Sequence, residues 1–302
     1  MSATKMKDAY RAARDLIEEK TSRSDRELIA DLSSSEVVVV RGEYDRVEQV
    51  LEPAGMPFMA IDPKDLDRID LNPSQMLVIN CPGKLSGQAI LKVRNFVADG
   101  GSLFTTDWGL RNVVEKAFPG VIEYNDHPTP DAVVPVHIND NDNPLLEGVF
   151  EDGSDPQWWL ESASYPIRVL DHDRVNVLVE SRELASKWGE KSVVVSFEYG
   201  RGEVLHMISH YYLQRTELRS DRHKQKWTTY AKEVGAVRSA DADLAAYSNL
   251  SAGEVESAYT STRFMRNAVL NKARKSRRFL DPEPTPNSAG DEGDPKRGRK
   301  KK

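Results

Sequence analysis

The sequence predicts an α/β fold in which helices alternate with the strands of a mostly parallel sheet. Four consecutive valines, Val37–Val40, are typical of a strand that is buried on both faces. Residues 76–80 and 103–106 form two further short apolar runs, and a stretch with helical spacing separates them. Because strand–helix–strand units join parallel neighbours through right-handed crossovers, this order indicates a parallel sheet.

Length and composition limit the classes of protein to which the chain can belong. The 302 residues are 39% apolar and 30% charged, with a net charge of -6. No apolar run approaches the roughly 20 residues of a membrane span, and the first residues lack an apolar signal segment. A single cysteine excludes an internal disulfide framework. We expect a cytoplasmic protein that has no membrane partner.

The first half of the chain supplies the elements of the parallel sheet. Residues 3–33 have helical spacing, and strands are predicted at 37–40, 57–61, 76–80 and 103–106. A helix is predicted at 44–51. Ser86 is placed to cap the next helix, whose residues Ile90, Val93 and Val97 are expected to face the sheet before Gly100 ends it.

The second half changes character after residue 120. Short strands are predicted at 121–124, 133–138, 167–170 and 175–181, followed by a hairpin of 192–198 and 204–209 whose turn contains Gly200 and Gly202. Helices follow at 217–235 and after a capping box, Ser251 to Glu254. The predicted organisation is a helical segment (1–34), an α/β domain (35–215), a helical region (216–280) and a disordered tail with a basic end (281–302).

Candidate functional residues lie where the predicted parallel strands end, which is where such sheets bind ligands. Asp107 follows the strand at 103–106 and could be a general base, a ligand-binding carboxylate or a helix cap. Cys81 ends the preceding strand and could be a nucleophile or a packing residue. The predicted ligand-binding residues are Asn80, Cys81, Gly83, Asp107, Trp108 and His210.

Other polar and aromatic residues have alternative interpretations. His206 and His210 could bind a metal, but four residues along one strand separate them by roughly 13 Å, and His210 could instead line the cleft. Trp158 and Trp159 could stack on a sugar or pack in the core. Residues 139–142 are typical of a turn and lack the spacing of a calcium site. We therefore predict neither a metal nor a cofactor.

The order of the motifs over residues 35–215 resembles the class I glutamine amidotransferase-like superfamily, in particular its ThuA-like branch. In that superfamily a strand enters an oxyanion-type loop, as VINCPGKLSG does here, and a helix and a Gly-Gly pair then lead to the nucleophile elbow, here DGGSLFTTDWG. The segments NPLLEG and YGRGEV, the latter followed by Ser209-His210, are similar to two further ThuA-like motifs. The resemblance implies a flavodoxin-like three-layer sandwich.

The sequence differs from the superfamily at the positions of the catalytic residues. Amidotransferases place a cysteine at the elbow, where a histidine activates the thiolate, but Asp107 occupies this position. Asn143 stands where the ThuA-like segment begins with histidine, and the amidotransferase histidine–glutamate signature is absent. A carboxylate cannot replace the thiolate in glutamine hydrolysis, so the resemblance supports the fold more than an activity.

Three functional hypotheses follow. The leading one is a ligand- or protein-binding module without the catalytic cysteine, whose C-terminal helices contact a protein partner. The second is a hydrolase or isomerase that acts on a small polar, sugar-like substrate with Asp107 and His210 as acid and base. The third is an accessory factor that contacts nucleic acid non-specifically through its basic end, residues 296–302.

Overall fold

A ten-stranded sheet lies at the centre of the protein, with helices packed against it. The computed structural model describes residues 3–150, 156–161, 163–211, 221–229 and 247–280. This arrangement is the α/β, flavodoxin-like sandwich that the sequence predicts. No helix in these ranges combines the length and apolar character needed to cross a bilayer.

The strands are named in chain order. They are β1 (Val37–Val40), β2 (Met59–Ile61), β3 (Met76–Ile79), β4 (Ser102–Thr106), β5 (Ile122–Tyr124), β6 (Ala132–Pro135), β7 (His137–Ile138), β8 (Gln157–Leu160), β9 (Ile167–Val169), β10 (Asn176–Glu180), β11 (Ser192–Tyr199) and β12 (Gly202–Met207).

The α-helices are named in the same way. They are α1 (Ala3–Lys20), α2 (Arg23–Ala30), α3 (Glu48–Leu51), α4 (Gly87–Ala98), α5 (Glu115–Ala117), α6 (Arg182–Trp188), α7 (Asp221–Lys224) and α8 (Ala252–Leu280). A π-helical turn, Leu110–Val114, leads into α5. Helix α6 is not among the predicted elements, and α3 is shorter than the predicted helix.

The sheet has a parallel half and an antiparallel half. Strands β2, β1, β3, β4 and β12 are parallel neighbours in that order, and β11, β10 and β7 continue the sheet in antiparallel pairs. The single strand predicted at 133–138 is wrong, because the chain divides there. Its first part, β6, pairs with β8 in a separate two-stranded sheet, and its second part, β7, joins the edge of the main sheet.

Helix α4 forms for the reasons that the sequence indicates. The Ser86 hydroxyl accepts a hydrogen bond from the backbone N–H of Ala89, 3.0 Å away, which caps the first turn. Ile90, Val93 and Val97 are buried against the sheet. Helix α4 leads into the next strand, β4, and Asp107 is the first residue after that strand.

The N-terminal and C-terminal helices pack on the same core as the sheet. The capping box at the start of α8 is confirmed, since the side chains of Ser251 and Glu254 each accept a hydrogen bond from the other's backbone N–H. Arg266 on α8 forms an ion pair with Glu18 on α1, at 2.6 Å. A largely apolar stripe of α8 is buried inside the protein, namely Val255, Ala258, Thr262, Met265 and Val269.

The glycine-containing hairpin of β11 and β12 lies against α4. Gly200 has a φ of 62°, a left-handed conformation that favours glycine. A Cβ on Gly202 would lie 2.2 Å from the carbonyl oxygens of both Gly101 and Val97, so this position has no room for a side chain.

Two predicted segments fall on residues that the structure does not describe, namely the tail at 281–302 and most of the helix at 217–235.

Candidate functional site

The turn after β4 holds Asp107, at the position that the resemblance assigns to the nucleophile elbow, in a left-handed backbone conformation. Asp107 has a φ of 46°, which is uncommon for a residue with a Cβ and stores local strain. Its backbone N–H donates to the carbonyl of Met207 on the neighbouring strand β12, at 2.9 Å. Its own carbonyl accepts the N–H of Leu110, at 2.9 Å. These bonds hold the strained residue at the carboxyl edge of the parallel strands.

The Asp107 carboxylate points into the protein. Its Oδ1 accepts a hydrogen bond from the backbone N–H of Tyr165, at 3.0 Å, and the residue is 1% exposed. The hypothesis that Asp107 caps the following helix is wrong. Gly109 is the N-cap residue, and no side chain bonds to the first turn. Something other than capping therefore accounts for this carboxylate.

His210 lies beside Asp107 because the two residues follow adjacent parallel strands. Nε2 of His210 is 3.1 Å from Oδ2 of Asp107, but the two are not aligned for a hydrogen bond. On the other side of the ring, Nδ1 is 2.7 Å from Oε2 of Glu161. The side chains of Asp107, His210 and Glu161 thus form a row of two carboxylates with an imidazole between them.

Cys81 completes this cluster from the next strand of the sheet. It follows β3, and its thiol faces Oδ2 of Asp107 at 3.7 Å. One potential ligand atom from each of Cys81, Asp107 and His210 lies within 4.8 Å of the others. The structure therefore brings together three of the predicted site residues, which come from the ends of three parallel strands.

Two other predicted site residues have different surroundings. Asn80 is buried beneath α3, where it accepts the N–H of Val47 at 3.1 Å and donates to Glu48 at 3.0 Å. Gly83 has a φ of 67°, and a Cβ there would lie 2.9 Å from the side chain of Val113. These positions shape the loop after β3, while the polar cluster lies at Cys81.

Burial and neighbouring charges act in opposite directions on these groups. Burial raises the pKa of Asp107 to about 6, against the contacts with His210 that favour the carboxylate. Burial alone would lower the pKa of His210, but its contacts with Asp107, Cys81 and Glu161 raise it above the ordinary value. Burial raises the pKa of the Cys81 thiol to about 11. Near neutral pH the cluster therefore contains a carboxylate, an imidazolium and a neutral thiol.

Partly exposed aromatic rings adjoin the cluster, since Trp108 follows Asp107 in the chain and the Tyr165 N–H binds the Asp107 carboxylate. The predicted site residue Trp108 stacks on Tyr165 with ring centroids 5.5 Å apart, and its indole N–H donates to the carbonyl of Ala163 at 2.8 Å. Tyr165 in turn stacks on Tyr124 at 3.7 Å. Tyr44 meets Trp108 edge to face and is 42% exposed. A ligand that approaches from this side would meet aromatic faces before the charged groups.

The interior side of His210 borders a small cavity between β8, β12 and α8. Its volume is about 30 Å³, and its lining includes Ser209, His210 and Ser257. Of the two alternatives for Trp158 and Trp159, packing in the core is the one observed. Both side chains are buried, and the Trp158 indole donates to the Ser209 hydroxyl at 2.7 Å. A cavity of this size has room for about one water molecule.

His206 is separate from the cluster. Its Nδ1 lies 2.8 Å from the hydroxyl of Thr105, and burial lowers its pKa to about 3. It is therefore neutral at physiological pH. A shared metal site of His206 and His210 has no support in these contacts.

Sequence reasoning missed three residues that determine the site. Glu161 orients His210, Tyr165 supplies a backbone donor, and Asp45 accepts hydrogen bonds from the Thr106 hydroxyl and the Tyr211 N–H, both at 2.8 Å. Glu161 and Tyr165 come from the segment between β8 and β9, which has no recognisable motif. The position of Asp45 after the strand–loop turn of β1 is the one signal that could have identified it.

Comparisons with known proteins give structural neighbours only. No protein-family model matches the sequence. No curated protein matches it either. Among solved structures, the fold is similar to a GMP synthase-like protein from Thermoplasma acidophilum, with 12% identity, a TM-score of 0.47 and coverage of 82% of this chain and 97% of that chain.

Two further solved structures with a similar fold are a ThuA-like protein and a glycosidase. A ThuA-like protein from Bacteroides uniformis has 10% identity and a TM-score of 0.42, over 59% of this chain and 83% of that one. An exo-β-1,4-mannosidase from an Opitutaceae bacterium has 12% identity and a TM-score of 0.41 over 63% of this chain. The present chain spans about a third of the mannosidase, 33% of its length.

Proposed function

We propose that the protein is a binding module of amidotransferase-like fold that holds a ligand at the carboxyl edge of its parallel strands and does not hydrolyse glutamine. One observation carries this proposal. The elbow position is occupied by Asp107, and its carboxylate is turned inward, where the Tyr165 N–H and His210 hold it. The place that glutamine hydrolysis requires for a thiolate is taken by a buried ion pair.

The only thiol of the chain is poorly suited to replace the missing nucleophile. Cys81 is fully buried, and its pKa is raised to about 11, so it remains protonated at neutral pH. A nucleophilic cysteine needs the opposite environment, one that is partly exposed and stabilises the thiolate. The thiol instead donates toward Asp107.

The surface above the cluster is suited to binding. Tyr44, Trp108 and Tyr165 form a continuous set of ring contacts at the edge of the sheet, and Tyr44 is the most exposed of the three. Aromatic side chains offer large contact areas with little loss of conformational freedom, and they suit flat apolar faces such as those of sugar rings. A protein partner on the C-terminal helices would need their exposed positions, because most of the apolar stripe of α8 is buried.

The proposal is tested by measuring ammonia release from glutamine. We expect no turnover by the wild-type protein, by Cys81→Ser or by Asp107→Cys. The last variant restores a thiol at the elbow but still lacks the amidotransferase histidine–glutamate signature. Turnover that is abolished by alkylation of Cys81 would overturn the proposal.

A second candidate function is acid–base catalysis, and one observation favours it. The row Asp107–His210–Glu161 places an imidazole between two carboxylates, an arrangement that can relay a proton, and Asp107 is held in a strained conformation. Nitrophenyl glycosides and esters are suitable probes of hydrolysis. If the wild-type protein cleaves one of them and folded Asp107→Asn does not, the enzyme hypothesis replaces the binding module.

The third hypothesis depends on residues 296–302, which lie outside the described ranges, so it remains a prediction. Deletion of these residues should abolish any salt-sensitive binding to nucleic acid and leave ligand binding at the elbow unchanged. The cytoplasmic location likewise remains an expectation from the sequence.

A further inference from the structure

The cluster of Cys81, Asp107 and His210 has the composition of a transition-metal site. Its three potential ligand atoms are one sulfur, one oxygen and one nitrogen, and they lie within 4.8 Å of one another. Sulfur and imidazole ligands together with a carboxylate are the donor types that zinc binds in proteins. The residues come from the ends of β3 and β4 and from the segment after β12, so adjacent parallel strands hold two of them in place.

Two of the three distances between these atoms are close to those of tetrahedral coordination. Metal–ligand bonds of about 2.0–2.3 Å at tetrahedral angles place the ligand atoms about 3.4–3.6 Å apart. Here Nε2 of His210 is 3.1 Å and Sγ of Cys81 is 3.7 Å from Oδ2 of Asp107. Both distances differ from this spacing by a few tenths of an ångström, and the third pair, Sγ of Cys81 and Nε2 of His210, lies within 4.8 Å.

Nε2 of His210 is aimed at the cluster and lacks an aligned hydrogen-bond partner. The side chain is 8% exposed, and this nitrogen is buried without a hydrogen bond within the described residues. On the opposite side of the ring, Nδ1 lies 2.7 Å from Glu161. A carboxylate that holds Nδ1–H and leaves the Nε2 lone pair facing inward is the usual outer contact of a metal-bound histidine.

The electrostatics of the cluster allow either a proton or a metal ion between His210 and Asp107. With the proton on Nδ1 toward Glu161, the lone pair of Nε2 would face the carboxylate oxygen of Asp107 at 3.1 Å. Two such electron-rich atoms repel each other unless a proton or a metal ion lies between them. The same arrangement can therefore hold a proton in the metal-free protein. A metal ion that takes its place would release to solvent both that proton and the proton of the Cys81 thiol, because cysteine binds a metal as the thiolate.

We propose that the ligand of this elbow site is a divalent transition-metal ion of the zinc type, bound by Cys81 Sγ, Asp107 Oδ2 and His210 Nε2, with Glu161 as the positioning residue of His210. This inference rests on the proposed binding function, because it names the ligand of the same site. Three protein ligands leave one position of a tetrahedral ion for water or for a further ligand.

Cobalt(II) is the probe that tests the proposal, because it replaces zinc and is coloured. Full-length, untagged protein is freed of metal with a chelator and titrated with cobalt(II). We expect a thiolate-to-cobalt charge-transfer band that saturates at one equivalent and disappears when zinc is added. Since the chain has one cysteine, such a band can arise only from Cys81.

Variants then test individual residues of the site. Cys81→Ser should lose the charge-transfer band, His210→Gln should weaken cobalt binding at least tenfold, and Glu161→Gln should weaken it by 10- to 100-fold, as is typical of outer contacts. His137→Asn removes an exposed histidine on the far edge strand β7 and should bind as the wild type does.

The wild-type titration alone can overturn the proposal, so misfolding of a variant does not leave it untested. Absence of a saturable band shows that the cluster holds only a proton. Cobalt binding of wild-type affinity in Cys81→Ser, followed by the visible absorption of the cobalt ion itself, shows binding elsewhere. Either result would leave the glutamine assay unaffected, whereas ammonia release would overturn the binding function even if cobalt bound.

Discussion

Oδ2 of Asp107 and Nε2 of His210 lie 3.1 Å apart in the interior, although the two residues are 103 positions apart in the sequence. The sheet brings them together, because Thr106 pairs with Met207 in the parallel register of β4 and β12. One residue beyond the first strand and three beyond the second, their side chains meet at the same edge. This contact is a buried ion pair at the position that the sequence resemblance assigns to the nucleophile elbow.

The first prediction concerns the stability of that pair. Asp107→Asn keeps the shape and an acceptor for the Tyr165 N–H but removes the charge that faces His210. Loss of one partner of a buried pair lowers the free energy of unfolding by roughly 3–5 kcal/mol. We expect a decrease of about 3 kcal/mol for Asp107→Asn, measured by urea denaturation.

Asp126→Asn is the matched control. Asp126 also has a positive φ, 66°, and forms an ion pair with Arg111, but its side chain is 70% exposed. The change should alter the free energy of unfolding by less than about 1 kcal/mol. Equal effects of the two substitutions would show that the Asp107–His210 contact contributes no more than a surface pair.

The second prediction concerns the hairpin of β11 and β12. Gly202→Val should lower the free energy of unfolding by roughly 1–3 kcal/mol, because the new Cβ would meet two carbonyl oxygens at 2.2 Å. Gly87→Ala is its control, since a Cβ there has no atom within 4 Å. If Gly202→Val unfolds at the wild-type urea midpoint, the close packing of this hairpin on α4 is wrong.

The third prediction is a pH dependence that arises from His206. Burial lowers the pKa of His206 to about 3, below the ordinary 6.5. Between these values the unfolded chain binds the extra proton and the folded protein does not, so stability falls as the pH decreases below 6.5. Between pH 7 and pH 5 this one group should remove roughly 2 kcal/mol from the free energy of unfolding.

His206→Asn isolates this contribution. The substitution removes the titrating group and keeps a polar side chain near Thr105, so its absolute stability can differ from that of the wild type. The decisive quantity is the slope of unfolding free energy against pH between 5 and 7. The variant should have a shallower slope, and an unchanged slope would show that His206 is not held neutral by burial.

The fourth prediction concerns Lys272 on α8, which donates to the carbonyls of Pro73 and Gly100 at 2.6 and 2.8 Å. Burial lowers its pKa from 10.5 to about 8. Between these values the unfolded chain holds more protons, so this group adds stability as the pH rises. Relative to Lys272→Met, the wild-type protein should gain stability between pH 8 and pH 10 in urea denaturation. A constant difference would contradict the lowered pKa.

Local signals predicted the elements that support the site. Four valines indicated β1, Ser86 and the apolar spacing indicated α4, and the reciprocal capping box of Ser251 and Glu254 indicated the start of α8. In each case the physical cause lies within a few residues of the chain. The position of Asp107 at the end of a parallel strand followed from the same reasoning.

The remaining features depend on contacts between distant segments. Glu161 reaches His210 from the segment after β8, whose pairing partner β6 could not be separated from β7 in the sequence. The direction of the Asp107 side chain was also undetermined, because an aspartate before a helix can cap it or turn inward. Tyr165, which supplies the N–H that holds the carboxylate, lies 58 positions away in the sequence.

The most direct test of the proposal that the elbow is catalytically empty is the reactivity of the chain's single thiol. Cys81 is fully buried, and its pKa is raised to about 11. With iodoacetamide at pH 7.5, the folded protein should therefore be alkylated far more slowly than the same protein in denaturant, which should react at one equivalent. Alkylation of the folded protein faster than that of the denatured chain would reveal an activated thiolate and contradict the account.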